Sequence, residues 1–450
     1  VRTIAMRAAR GGSQGATALF VALLALLAGT ACRKPLSGPY LDAALKARAW
    51  ISSAEIRVPE GLSWPAVPPD RQTVGLDLYS GVPGVVLFHV QAYYATGDRS
   101  SLDRARGGAD FLLAQAPSVA SPGLYEGLSG VGFALEEAFK ASKDEKYRRG
   151  FLDVLNRIAA SAKPAGRGIE WSSTADVISG GAGTGLFLLY AYHETGDKAW
   201  LGLAAQAGSR LIELGRPENG GLKWAMDPAF PRLMPNFSHG TAGIAYFLTA
   251  LHRETRRAEF LGAALAGARY LLSVADTDGG RCLVFHDEPD NKGLYYLGWC
   301  HGPVGTARLF FLLARVTGDA SWLDWVRRSA NGLLQSGIPE HETPGFWNNA
   351  GICCGLAGVG EFFLDLHAEL GDEAYLDFAK RVASRLLAKA DVEDGRMSWV
   401  QAEHRTRPDF VFAQTGYMQG AAGIGTYLLK MAAAGRAMRR VVFPDTPFTR

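Results

Sequence analysis

Cys300 and Cys353 each stand two residues before a glycine of a motif that recurs down the chain, and Cys354 adjoins the second. The first two are therefore equivalent positions of neighbouring repeats, and Cys354 adds a third soft donor within reach of one ion. Three thiolates with a fourth position left open suit Zn2+, which is tetrahedral and redox-inert. His301 is the nearest candidate for a fourth ligand, but it adjoins Cys300, where ligation by both is awkward. The chain has five cysteines in 450 residues, too few and too clustered for a disulfide scaffold. Cysteines buried simply as small apolar residues are the other reading of the same three. Cys282 stands alone.

The elements that must position these residues come from a sevenfold repeat. Its glycine pairs fall at Gly81/Gly84, Gly127/Gly130, Gly180/Gly183, Gly240/Gly243, Gly302/Gly305, Gly355/Gly358 and Gly420/Gly423. After each pair, apolar residues recur at helical spacing or cover most of the helix, as at Phe247, Leu248 and Leu251. A helix apolar on most sides is buried, so these read as inner helices. Several end in Gly-Asp, at Gly97, Gly196, Gly318 and Gly371, the left-handed stop before a turn. More charged, amphipathic helices follow, for example over 101–113, 199–214, 322–334 and 374–387.

Two helices per repeat, seven times, predict an all-α fold: an α,α-toroid of about seven helix pairs in two concentric rings. The glycines, lacking Cβ, let the N-terminal ends of neighbouring inner helices crowd together. An open solenoid is the alternative arrangement, and such strongly apolar inner helices argue against it. The residue before each glycine pair sits at the same end of its inner helix. Those residues are Ser80, Glu126, Ser179, His239, His301, Cys354 and Gln419, and the repeat turns all seven toward one mouth. Helix N-termini there carry partial positive charge, which favours thiolates and other anions.

Composition bounds the rest. A net charge of +3 with no runs of Lys and Arg leaves no footprint for nucleic acid. Residues 1–32 read as a secretory signal: Arg2, Arg7 and Arg10, then an apolar run from Ala16 to Ala28, then Gly29-Thr30-Ala31-Cys32. Cys32 resembles the lipidated cysteine of a bacterial lipoprotein, although Gly29 stands where a branched apolar residue is usual. The chain is thus expected to be exported, to the periplasm or as a membrane-anchored lipoprotein. The alternative is a disordered or membrane-associated extension on a cytoplasmic protein. Residues 33–72 are expected to hold a linker and the first outer helix, 73–440 the toroid and 441–450 a tail. The chain reads as a monomer.

Gly298-Trp299-Cys300-His301-Gly302 and Cys353-Cys354-Gly355 resemble the two zinc motifs of the lanthionine synthetase C-like family. Ser238-His239-Gly240-Thr241-Ala242-Gly243 resembles its histidine motif, and the likeness extends over essentially everything after residue 32. The resemblance implies a sevenfold double-ring toroid, with Zn2+ held by Cys300, Cys353 and Cys354. It implies addition of a zinc-activated thiol to dehydroalanine or dehydrobutyrine, with His239 protonating or stabilising the enolate. The substrate would be a dehydrated peptide or a small thiol. Cys354 replaces the family's commoner histidine, and Tyr296 stands where some relatives carry arginine. Asp176 matches an acidic residue proposed to orient or deprotonate, and equally reads as a helix N-cap. His301 follows the zinc cysteine where relatives carry His or Tyr, and is read as assisting.

Trp171, Trp224, Trp299 and Trp347 read either as cleft lining or as core. Two other functions fit the architecture: a non-catalytic, zinc-containing peptide-binding toroid, and a glycoside-processing toroid. The latter needs two carboxylates, for which Glu126 and Asp176 are the candidates, and it leaves the cysteines unexplained.

Overall fold

Fourteen helices alternate between two environments. In the computed structural model, which describes residues 35–230 and 232–448, they are α1 (Pro39–Ser53), α2 (Val82–Thr96), α3 (Arg99–Gln115), α4 (Leu128–Ser142), α5 (Glu145–Ser161), α6 (Gly181–Thr195) and α7 (Lys198–Leu214). The second half continues with α8 (Thr241–Thr255), α9 (Ala258–Val274), α10 (Pro303–Thr317), α11 (Ser321–Gln335), α12 (Leu356–Leu370), α13 (Glu373–Ala388) and α14 (Ala421–Ala432). The secretory-signal reading of residues 1–32, with Cys32, lies outside the described residues. Among the described residues no helix is long and apolar enough to cross a membrane.

The even-numbered helices are the inner ones. In α2 every residue from Val82 to Ala92 is buried, and α8 is buried from Thr241 to Leu251. The odd-numbered helices bury one stripe, as α5 does through Tyr147, Phe151, Val154, Leu155 and Ile158. Each inner helix packs on the outer helix that follows it and on the next inner helix. Helix α14 closes the ring by packing on α2 and takes α1, from the other end of the chain, as its outer partner. The α,α-toroid expected from the repeat is the fold observed.

Local chemistry explains the alternation. Gly97, Gly196, Gly318 and Gly371 end inner helices in the left-handed conformation. In three of these the aspartate that follows, Asp98, Asp197 or Asp372, accepts a hydrogen bond from the second backbone N–H of the outer helix and caps it. The outer-to-inner connections carry short antiparallel hairpins that the repeat pattern did not announce. They are β1–β2 (Ile56–Val58, Gly61–Ser63), β3–β4 (Lys163–Ala165, Gly168–Glu170), β5–β6 (Arg216–Glu218, Gly221–Lys223) and β7–β8 (Asp391–Glu393, Arg396–Ser398). A fifth, β9–β10 (Val400–Ala402, Val411–Ala413), follows directly. Asn219-Gly220 and Asp394-Gly395 turn two of them with positive φ at both residues, the tight hairpin turn that such pairs favour.

A tryptophan after three of the hairpins ties each to the preceding outer helix. Nε1 of Trp171, Trp224 and Trp399 donates to the carbonyls of Ile158, Leu211 and Leu386. The C-terminal segment is packed as well. Val441, Asp445 and Phe448 are buried, Phe443 lies against Tyr417 and Phe133, and Phe448 lies against Phe311 and Phe362.

Candidate metal centre and its cleft

The loops that lead into the inner helices are joined by a closed circuit of backbone hydrogen bonds. Tyr79 N–H donates to Tyr125 O, Tyr125 to Ile178, Val177 to Ser238, Ser238 to Cys300, Cys300 to Cys353, Cys353 to Met418 and Met418 to Tyr79, at 2.8–3.2 Å. All but Val177 stand two residues before the first glycine of a pair. The circuit sets Cys300 and Cys353 side by side, though 53 positions apart. The glycines make the approach possible. A Cβ on Gly298 would lie 2.7 Å from Cys353 O and 2.7 Å from Cys354 Cα, and one on Gly305 would lie 2.1 Å from Trp299 O.

The three sulfurs of Cys300, Cys353 and Cys354 all lie within 4.8 Å of one another and form no disulfide. Cys300 Sγ is 3.0 Å from Cys354 Sγ, which is 3.5 Å from Cys353 Sγ. All three residues are buried. Burial opposes ionisation of Cys353, but hydrogen bonds from Cys300, Cys354 and Tyr79, with the charge of His239, hold its thiol well below the usual range. Cys300 is pushed up by burial, and Cys354 by its hydrogen bonds to the other two sulfurs. Thiolate character at one sulfur thus raises the cost of a second. A soft divalent cation removes that conflict, and a three-sulfur donor set fits Zn2+.

Cys300, Cys353 and Cys354 line a cleft of about 690 Å³. Six of the seven residues before the glycine pairs line it: Ser80, Glu126, His239, His301, Cys354 and Gln419. The seventh, Ser179, donates to Glu126 Oε2 at 2.8 Å. His239 Nδ1 lies 2.6 Å from Asp176 Oδ2. Burial disfavours the imidazolium, but the hydrogen bond to Asp176 and its charge outweigh burial, and Cys353 and Glu126 add to them. The pKa of His239 is raised above its ordinary value. Asp176 is not the helix N-cap of the second expectation, because Gly180 holds that position without a side-chain cap. Its Oδ1 instead accepts from the N–H of Ser179 (2.9 Å) and Gly180 (2.8 Å) in the loop before the helix, while Oδ2 faces His239. With both oxygens committed, Asp176 is a poor member of a glycosidase pair with Glu126.

His301 is 8% exposed, and burial, then the charges of His239 and His286, drive its pKa well below the ordinary value, so it is neutral. Its ring meets His239 at 5.5 Å and His286 edge-on at 4.5 Å. Of the four tryptophans weighed as lining, Trp347 reaches the cleft. Trp171 and Trp224 are the ties described above, and Trp299 is buried with Nε1 on Asp445 Oδ2 at 3.2 Å. Other lining residues escaped the sequence reading. Tyr79 was within reach of it, since it holds the same repeat position as Cys300 and Cys353. His286, His404 and Arg405 lie in connections outside the repeat motif, and no spacing signals them. Tyr296, where some relatives carry arginine, stacks on His286 at 4.0 Å and accepts a hydrogen bond from Arg405 Nε at 3.3 Å.

The profile of the family described as "Lanthionine synthetase C-like protein" matches residues 72–446. Among solved structures, nisin cyclase aligns with 86% of this chain and 93% of its own, at 15% identity and a TM-score of 0.60. The Lin0763 protein from Listeria innocua aligns with 88% of this chain and 97% of its own, at 15% identity and a TM-score of 0.50. At these identities the likeness speaks for the fold alone. The GH76A alpha-1,6-mannanase of Salegentibacter sp. HEL1_6, at 12% identity, aligns with 88% of this chain and 98% of its own at a TM-score of 0.49, too distant to bear on chemistry.

Proposed function

The chain belongs to the lanthionine synthetase C-like family, and from that premise we propose that it joins a thiol to a dehydroalanine or dehydrobutyrine residue, forming a thioether. The observation that carries this reading is the meeting of three buried sulfurs and the His239–Asp176 pair at one cleft. Cys300, Cys353 and Cys354 would hold Zn2+, whose charge, when bound, makes a thiol entering the cleft a thiolate at neutral pH. Asp176, anchored by two backbone N–H groups, keeps His239 Nδ1 protonated and the ring in place. His239 thereby presents its other ring nitrogen, Nε2, as proton donor.

The bookkeeping of atoms is simple. The thiol's proton leaves to solvent, the sulfur lone pair forms the bond to Cβ, and the alkene pair moves through Cα onto the carbonyl oxygen. A proton from His239 completes Cα as the carbonyl re-forms, and solvent returns the proton to His239. His301, neutral beside this ring, assists by fixing its position. A cleft of about 690 Å³ is of the size that holds a short peptide segment or a small ligand, so the acceptor is a dehydrated peptide and the thiol its own cysteine or a small molecule.

The test is thioether formation on a dehydroalanine peptide, with zinc content measured alongside. His239→Ala is expected to keep its zinc and lose roughly 100-fold or more in rate, the usual size of a general-acid contribution. A protein that binds the peptide and zinc but makes no thioether with either kind of thiol would instead be a binding toroid.

A further inference from the structure

The geometry points to Arg405 as the group that binds the acceptor's carbonyl oxygen and meets the negative charge gathering there as the carbon–sulfur bond forms. This assignment rests on the reaction proposed above, but its central observation is independent of it. Arg405 lies in the turn between β9 and β10, where His404 and every residue from Thr406 to Phe410 is exposed, yet Arg405 is itself part-buried and lines the cleft. Among the described lining residues it is the one side chain with a permanent positive charge.

Its partners are few. Nε donates to Tyr296 Oη at 3.3 Å, and among the described residues no carboxylate pairs with the guanidinium. Glu403, two residues away, instead accepts from Gln414 Nε2 at 2.9 Å. A guanidinium carries five N–H donors in a rigid fork, so one is engaged and the terminal nitrogens remain for a ligand.

The anchor is firm and well placed. The ring of Tyr296 is stacked on His286 within 4° of parallel and meets Trp347 at 5.2 Å and His301 at 5.6 Å, both near edge-on. Arg405, Tyr296 and the three cysteines line the same cleft, so the cation fixed to this tyrosine faces the space that the sulfurs face. A forked cation in the cleft that the sulfurs line, with spare donors and no carboxylate partner among the described residues, matches an oxygen that becomes anionic. Charge-assisted hydrogen bonds of this kind strengthen as charge develops.

An unreactive pair of peptides tests the site without turnover. A short peptide ending in alanine carries a carboxylate on the carbon that, in the acceptor, bears the carbonyl oxygen; its C-terminal amide is neutral there. Calorimetry on the zinc-loaded full chain is expected to give about tenfold tighter binding of the carboxylate form, with the preference falling to near unity in Arg405→Gln. A wild-type protein without the preference, or a variant that keeps it, overturns the assignment. In turnover, Arg405→Gln is expected to lower kcat about 100-fold with KM changed less than about threefold and zinc content and Tm unaltered. Loss of zinc and Tm together would mark Arg405 as a structural prop and overturn it too. A carboxylate preference that Arg405→Gln abolishes, in a protein that forms no thioether, would leave the oxyanion site standing while the proposed reaction falls.

Discussion

His239 and Asp176 form a hydrogen-bonded pair at the cleft, and the proposed reaction depends on its charge state. Burial pulls the imidazolium toward neutrality, and Asp176 more than restores it. Because the folded pKa lies above the unfolded value of about 6.5, protonation of His239 stabilises the fold fully below that value. The contribution is lost as pH rises through the folded pKa. The same titration depletes the proton donor, so activity should fall on the alkaline side. In Asp176→Asn the carboxylate is gone and burial remains, so the pKa drops and the alkaline limb of the pH–rate profile moves toward acid. A pH–rate series with an NMR titration of the His239 ring checks this, and a limb that stays in place would detach Asp176 from proton transfer.

Among the elements, the inner helices converge because each carries a glycine in its first turn. A Cβ on Gly305 would lie 2.1 Å from Trp299 O and 2.5 Å from Phe237 Cβ, whereas one on Gly262, in the outer helix α9, meets nothing within 4 Å. The same substitution should therefore have opposite signs at the two places. Gly305→Ala is expected to destabilise by roughly 1–3 kcal/mol through overpacking, and Gly262→Ala to stabilise by about 0.5–1 kcal/mol through helix propensity. Urea unfolding of the two variants reads both. Equal effects would mean that crowding at the mouth is not what the repeat glycines relieve.

Across the described residues the ring is closed by its first helix and by the segment that follows its last. Helix α1 completes the outer ring against α14, and the C-terminal segment packs among the inner helices. Asp445, fully buried, accepts from Arg308 Nη1 at 2.9 Å and from Trp299 Nε1 at 3.2 Å. Trp299 is the neighbour of Cys300, so Asp445 braces the loop that carries this cysteine. Asp445→Ala leaves a largely buried guanidinium without its carboxylate, and the expected loss is roughly 3–5 kcal/mol in unfolding free energy. Denaturant titration measures it; a loss below about 1 kcal/mol, the worth of an exposed pair, would show the segment to be dispensable.

What the sequence determined by itself was periodic. A glycine pair seven times over, each leading an apolar helix, is enough to define inner helices, a ring and a common mouth, because each repeat must bury the same face against its neighbours. Cys300, Cys353, Cys354 and His239 were legible for the same reason: they occupy the two positions before a glycine pair, Cys300 and Cys353 the first of them and Cys354 and His239 the second. Only the tertiary structure decided which side chains reach the mouth from outside the period. Arg405 and His286 sit on connections whose length and sequence differ from repeat to repeat, and their arrival in the cleft lining is a through-space event without a local signature. The packing of residues 441–448 among the inner helices is decided in the same way, by a cavity that exists only once the ring has closed.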